Sequence, residues 1–285
     1  MRRKISAYIT LVDPSASQTP LVSVGLGLLC SYEVATLQVS PSIGKLIFAF
    51  AGMILVISHV MVLNDYFDVE IDKKKGVRHA LAEIPRRLAG ALAVIFLSLG
   101  LMFAWVASPT YFAICLVLAL LSAAYSAPPI RYKEVYLFST LGDVSGAFLL
   151  FLAGYSLFAP VVNVRAIVIS LIPWFVFVVW RLKHEIRFVK FDTKTGKKTL
   201  AVVHGVNRVK LLIRLCTLLI IALSIGLLLA GWFSPTFLVF LVIPLSLLAL
   251  VSASSRALSL WLRIKGNLYW GFVYFFIVVA WILYS

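Results

Sequence analysis

Residues 46–78 read LIFAFAGMILVISHVMVLNDYFDVEIDKKKGVR. The first half, through residue 63, is an apolar run long enough to cross a bilayer, whose hydrocarbon core of about 30 Å takes about 20 helical residues. The run then gives way within one turn to Asn64, Asp65, Asp68 and Asp72, and after them to Lys73, Lys74, Lys75 and Arg78. A span that ends in acids and then bases is a membrane helix meeting water at a chemically loaded edge.

Outward from this stretch the same apolar pattern recurs. Hydrophobic residues make up 62% of the chain and charged residues 13%, with a mean hydropathy of +1.03. Water is therefore not the main solvent. Nine spans are predicted, at about 21–39, 46–63, 87–107, 111–127, 136–158, 165–182, 209–231, 234–252 and 267–284. Pro173 and Pro244 fall inside the sixth and eighth. The first span lacks a small-residue cleavage site and is followed by further spans, so it reads as a retained helix. The fold class expected is an all-α membrane protein with the chain as one domain.

Charge tests this count independently, because Lys and Arg of short loops collect on the cytoplasmic side. With nine spans, 24 of the 26 Lys and Arg residues fall on one side, and only Lys45 and Arg165 on the other. That segregation puts the N-terminus inside and the C-terminus outside, and predicts a multi-pass protein of the cell membrane. The net charge of +15 thus reports topology. Nucleic acid is not an expected partner, since the bases are spread over loops between spans. Cys30, Cys115 and Cys216 sit singly within predicted spans and read as small packing residues.

Function is expected in the two long inside loops after the second and sixth spans. At an offset of 120 residues, NDYFDVEIDKKKGVRHALA (64–82) aligns with HEIRFVKFDTKTGKKTLA (184–201), matching Asp65 to Glu185, Asp72 to Asp192 and Gly76 to Gly196. The pattern is that of an internal repeat whose two copies build one site between them. If the helix continues, Asp65, Asp68 and Asp72 share one face. Like charges gathered there make sense around a cation, and hard oxygen donors without His or Cys favour Mg²⁺. Mg²⁺ commonly shares such carboxylates with phosphate oxygens, so the implied ligand is a phosphate or diphosphate.

These residues resemble the UbiA superfamily of intramembrane prenyltransferases. Asn64-Asp65-Tyr66-Phe67-Asp68-Val69-Glu70-Ile71-Asp72 is similar to its first aspartate-rich motif. Tyr125-Ser126-Ala127-Pro128-Pro129-Ile130-Arg131-Tyr132-Lys133 resembles the Tyr-Ser and Arg-x-Lys segment after its fourth helix, and 192–200 (DTKTGKKTL) resembles the end of its second acidic motif. The resemblance implies a barrel-like helical bundle with a central cavity. It also implies Mg²⁺-dependent transfer of an isoprenyl group from a (poly)prenyl diphosphate to a lipophilic or aromatic acceptor in the membrane. By this resemblance Asp65, Asp68 and Asp72 are the catalytic acids and, with Asn64, hold one metal. Glu185 and Asp192 serve a second, and Arg78, Tyr125, Ser126, Arg131, Lys133 and Lys197 contact the diphosphate.

The chain departs from the family pattern in its second motif, where Phe188 stands in place of an acid and Lys190 in place of an acidic or polar residue. Metal occupancy is accordingly expected to be asymmetric, with the stronger site on the first motif. The first loop also has Arg78-His79-Ala80-Leu81 where a proline usually follows the arginine. Alternative readings are a terpene cyclase of the same fold and a protein that binds prenyl diphosphates without turning them over. A transporter is disfavoured because the acids lie at helix ends, not mid-span. A phosphatidyltransferase would interleave Gly and Arg with its acids. His79 and His204 read as loop histidines, and Trp174, Phe175, Phe177 and Trp180 as an aromatic span that packs or lines the isoprenoid cavity.

Overall fold

The computed structural model describes residues 42–74, 84–159 and 161–232, with backbone only for 71–74 and Asp143. The described residues are helical and contain no strand. In chain order they form α1 (Ile43–Lys74), α2 (Arg86–Ala107), α3 (Pro109–Ser126), a 3₁₀ turn (Tyr132–Glu134), α4 (Tyr136–Tyr155), α5 (Val164–Lys194), α6 (Leu200–His204) and α7 (Val206–Leu229). Six of these are long and apolar enough to cross a membrane: α1, α2, α3, α4, α5 and α7. They correspond to the second through seventh predicted spans. The spans predicted at 21–39, 234–252 and 267–284 lie outside the described residues, as does Arg78.

Two boundaries differ from expectation in a way that matters. By hydropathy the second span closes at residue 63 and the sixth at 182, with loop beyond each, whereas α1 runs on to Lys74 and α5 to Lys194. Asp65, Asp68 and Asp72 on α1 and Glu185 and Asp192 on α5 are therefore carried on continuous helix. Charged residues end an apolar run but not a helix, since Asp, Glu and Lys are tolerated once the helix has left the hydrocarbon. α5 also continues through Pro173, because lipid offers the backbone no partner outside the helix.

Short connections make neighbours antiparallel. α2 and α3 are separated only by Ser108, whose extended backbone breaks the helix before Pro109 enters the first turn of α3. α5 begins at Asn163, whose side chain accepts the Ala166 N–H at 2.9 Å. Among the described residues, Lys45 and Arg165 occupy one end of the bundle. Every other Lys and Arg lies in the half nearer the opposite, basic end.

Two buried clusters share α4. On one side Leu150 and Ala153 of α4, with Leu157 just beyond its end, pack with Ala49, Met53 and Val56 of α1, Ala104 of α2, and Tyr111 and Cys115 of α3. On the other, Phe151 and Tyr155 of α4 join Ile169 and Leu182 of α5 and Ile213, Cys216 and Ile220 of α7. Polar side chains pin the spans where water cannot compete: Tyr111 Oη donates to the Ala49 carbonyl at 2.8 Å, and His59 Nδ1 donates to that of Ala93 at 2.8 Å. In lipid such close backbone approach relies on small residues. At the α1–α2 crossing a Cβ on Gly100 would stand 2.9 Å from Val56 Cγ2 and 3.0 Å from Val56 N, whereas one on Gly226 would meet nothing within 4 Å. Gly100→Ala is expected to pry α1 from α2 and cost about 1–3 kcal/mol, read as a lower unfolding temperature in detergent. Gly226→Ala should leave that temperature unchanged or raise it, and equal effects from the two would refute this account of the crossing.

Candidate active site at the basic end

The site is built where α1 emerges from the apolar core and meets the connection between α3 and α4. α3 stops at Ala127, extended because Pro128 follows. The chain then passes through Pro128, Pro129 and Ile130 to Arg131, which adopts a left-handed conformation (φ 35°) as it enters the 3₁₀ turn. That reversal brings Arg131 and Lys133 against the face of α1 that carries Asn64 and Asp68, one helical turn apart.

Arg131 Nη2 donates to Asp68 Oδ1 at 2.8 Å and Lys133 Nζ to Asp68 Oδ2 at 2.6 Å. These three side chains are only 11–19% exposed, so their charges are screened less than on an open surface. Lys133 Nζ also reaches Asn64 Oδ1 at 2.8 Å, and Ser126 Oγ donates to the same oxygen at 3.1 Å. Arg131 is further held by Glu134 Oε1 at 2.6 Å and the Phe67 carbonyl at 3.4 Å. The Tyr125 ring stands 5.9 Å from Lys133 Nζ and meets Tyr132 edge-on at 5.3 Å. Tyr132 donates its hydroxyl to the Leu121 carbonyl at 3.1 Å. Partial burial raises its pKa, which keeps that donor protonated. The structure thus brings Asn64, Asp68, Tyr125, Ser126, Arg131 and Lys133 into one polar cluster.

Asp65 lies half-buried on α1, within a turn of Asp68. Asp72 follows one turn further along the same helix, where only the backbone is described. On α5, Glu185 is 2% exposed and Asp192 6%. Glu185 Oε1 accepts from Thr140 Oγ1 at 2.8 Å, Arg181 Nε lies 3.5 Å from it, and Oε2 accepts the Ala201 N–H at 3.4 Å. Lys197 is exposed beyond the end of α5. Among the described residues, no three His, Cys, Asp or Glu side chains lie close enough together to hold a metal.

The two acidic segments belong to the same end of the bundle, and α4 joins them. Its Gly142 gives room to the Tyr132 ring beside the first cluster. Thr140, two residues earlier, holds Glu185 of the second. Sequence reasoning missed Thr140, Arg181 and Glu134. Glu134 could have been found from its place three residues after Arg131; a single Thr at the mouth of a span carries no such signal.

The profile of the UbiA prenyltransferase family matches residues 26–259. The chain belongs to this family, and it is a prenyltransferase. Among curated UbiA-type relatives, it is 24% identical over 229 residues to the protoheme IX farnesyltransferase of Aliivibrio salmonicida, covering 77% of this chain and 76% of that one. It is 26% identical over 224 residues to the digeranylgeranylglyceryl phosphate synthase of Methanoregula boonei, with the same two coverages of 77% and 76%. Solved UbiA homologues share the fold. That of Archaeoglobus fulgidus bound to GPP and Mg²⁺ superposes with a TM-score of 0.78 at 19% identity, over 96% of this chain and 97% of that one. The apo homologue of Aeropyrum pernix K1 gives 0.73 at 14% identity, over 93% and 97%.

Proposed function

We propose that this UbiA-family protein transfers an isoprenyl group from a (poly)prenyl diphosphate to a hydrophobic or aromatic acceptor within the membrane, using Mg²⁺ held at the end of α1. The reading rests above all on one observation: the Asn64 and Asp68 oxygens and the Arg131 and Lys133 cations share a single cluster where an apolar span meets its basic end. The ligand that suits both halves carries a cation and phosphate oxygens at its head and hydrocarbon behind.

The donor set fits the metal. Asn64, Asp65, Asp68 and Asp72 offer hard oxygens on successive turns of one helix, without sulfur or imidazole. Bound Mg²⁺ supplies charge neutralisation to a departing diphosphate. The chain's own residues do the rest. Arg131 and Lys133 fix the rotamer of Asp68 and stand ready to donate to phosphate oxygens, with Arg78 and Lys197 as further contacts. Ser126 and Tyr125 frame the same edge. As the allylic carbon–oxygen bond breaks, its electron pair leaves with the diphosphate, and donors already in place need no reorganisation to receive that charge. The surrounding apolar spans keep water from the electrophilic carbon until the acceptor forms the new bond and gives up a proton.

The two helices that carry the acids are also alike: α1 and α5 have 32 and 31 residues and each ends in its acidic segment. This supports reading 64–82 and 184–201 as copies of an internal repeat. The one-sided distribution of Lys and Arg supports nine spans in the cell membrane, with the N-terminus and the basic end cytoplasmic.

Purified protein in nanodiscs, given labelled prenyl diphosphates of several lengths and a panel of aromatic and lipid acceptors, should release diphosphate and form a prenylated product, and chelation of Mg²⁺ should stop both. Lipid mass spectrometry of cells with and without the protein should show one species heavier by an isoprenyl group. A hydrocarbon or cyclic alcohol made from the diphosphate alone would assign a cyclase instead. Folded protein that gives neither product would mean the site binds without turnover.

A further inference from the structure

The carboxylates of the two acidic helices are differently employed. Asp68 of α1 is part-buried beside the long, flexible side chains of Arg131 and Lys133, whereas Glu185 is 2% exposed and enclosed by protein donors on three elements. Thr140 of α4 donates to it at 2.8 Å, the Ala201 N–H of α6 at 3.4 Å, and Arg181 lies 3.5 Å away one turn back on α5. A metal ion ligated by Glu185 would have to share its oxygens with the Thr140 and Ala201 donors and lie beside the Arg181 guanidinium.

One turn on, Phe188 presents a phenyl ring, tilted against that of His184 at 4.6 Å, with the Arg187 guanidinium 5.3 Å from its centre. From Arg181 to the end of α5 the basic residues are Arg181, Lys183, Arg187, Lys190 and Lys194, against Glu185 and Asp192 alone. The field of so many bases along this segment repels a divalent cation.

We infer that this chain holds one divalent cation, on α1, and that Glu185 is a structural brace joining α4, α5 and α6, with no ligand role. Positive side chains of α5 stand where a second cation would otherwise balance the diphosphate. The inference rests on the proposed reading of the α1 acids as a metal–diphosphate site, and it narrows that reading to a single ion.

The test is a metal count on full-length protein in nanodiscs, dialysed to equilibrium against Mn²⁺ and inorganic diphosphate and read by elemental analysis and electron paramagnetic resonance. One Mn²⁺ per chain with an uncoupled spectrum is expected, and Glu185→Gln protein that stays folded at the assay temperature should retain it. Two ions per chain, or a spin-coupled pair, would overturn the inference while leaving the prenyl transfer reading intact. Loss of the ion from folded Glu185→Gln protein would also overturn it. No bound ion at all would remove the metal reading of α1 as well, so the two failures are distinguishable.

Discussion

Asp68→Asn is expected to lower prenyl transfer by at least about a hundredfold while the protein still folds. The substitution keeps the shape of the side chain and one acceptor oxygen, but it removes the negative charge from between Arg131 and Lys133, which contact it at 2.8 and 2.6 Å. Two losses coincide at the same side chain. On the proposed reading the metal would lose a hard anionic ligand, and the two cations, 15% and 11% exposed, lose the carboxylate they share. Diphosphate release in nanodiscs measures the loss, and the unfolding temperature in the same preparation shows that it is not a folding defect. Retention of more than about a tenth of the activity would remove Asp68 from the reaction.

The largest effect on stability is expected from Glu185→Ala, at about 3–5 kcal/mol. Removing the carboxylate takes one anion from beside the Arg181 charge, 14% exposed, takes the Ala201 N–H's Glu185 acceptor away, and leaves the Thr140 hydroxyl only the Tyr136 carbonyl at 3.3 Å in place of the 2.8 Å carboxylate. Breaking one side of a buried pair is what makes such a change severe, so replacing both partners, as in Arg181→Met with Glu185→Leu, should recover much of the loss. Thermal unfolding in detergent reads both. A Glu185→Ala protein that melts with the wild type but binds less metal would return this residue to the ligand set.

Much of this architecture was legible in the sequence because lipid imposes a simple rule, that apolar length equals span. Six predicted spans correspond to helices within a few residues at their apolar ends. That Asn64 and Asp68 and the Ser126, Arg131 and Lys133 segment belong to one edge was suggested by the family resemblance of two separated motifs, whereas the direct contacts of Arg131 and Lys133 with Asp68 carried no signal in the sequence. Other features were hidden for physical reasons. Charged residues after positions 63 and 182 end the hydropathy signal where the helix does not end, so α1 and α5 read too short. The burial of Glu185 is masked by its neighbours: His184, Arg187 and Lys190 advertise a solvated face, while the opposite side of the same helix turns inward against Thr140. Hydropathy averages over a window and cannot see a single residue facing the other way.

The lengths of α1 and α5 carry a last implication. At 1.5 Å per residue, helices of 32 and 31 residues are about 47 Å long, against roughly 30 Å of hydrocarbon. Since the polar excess of both lies at the basic end, they would protrude there like posts above a floor, carrying Asn64, Asp68, Glu185 and Asp192 near the height of the phospholipid headgroups. An amphiphile diffusing in that leaflet would present its polar head at this level already, and docking would not require dragging a multiply charged group down into oil.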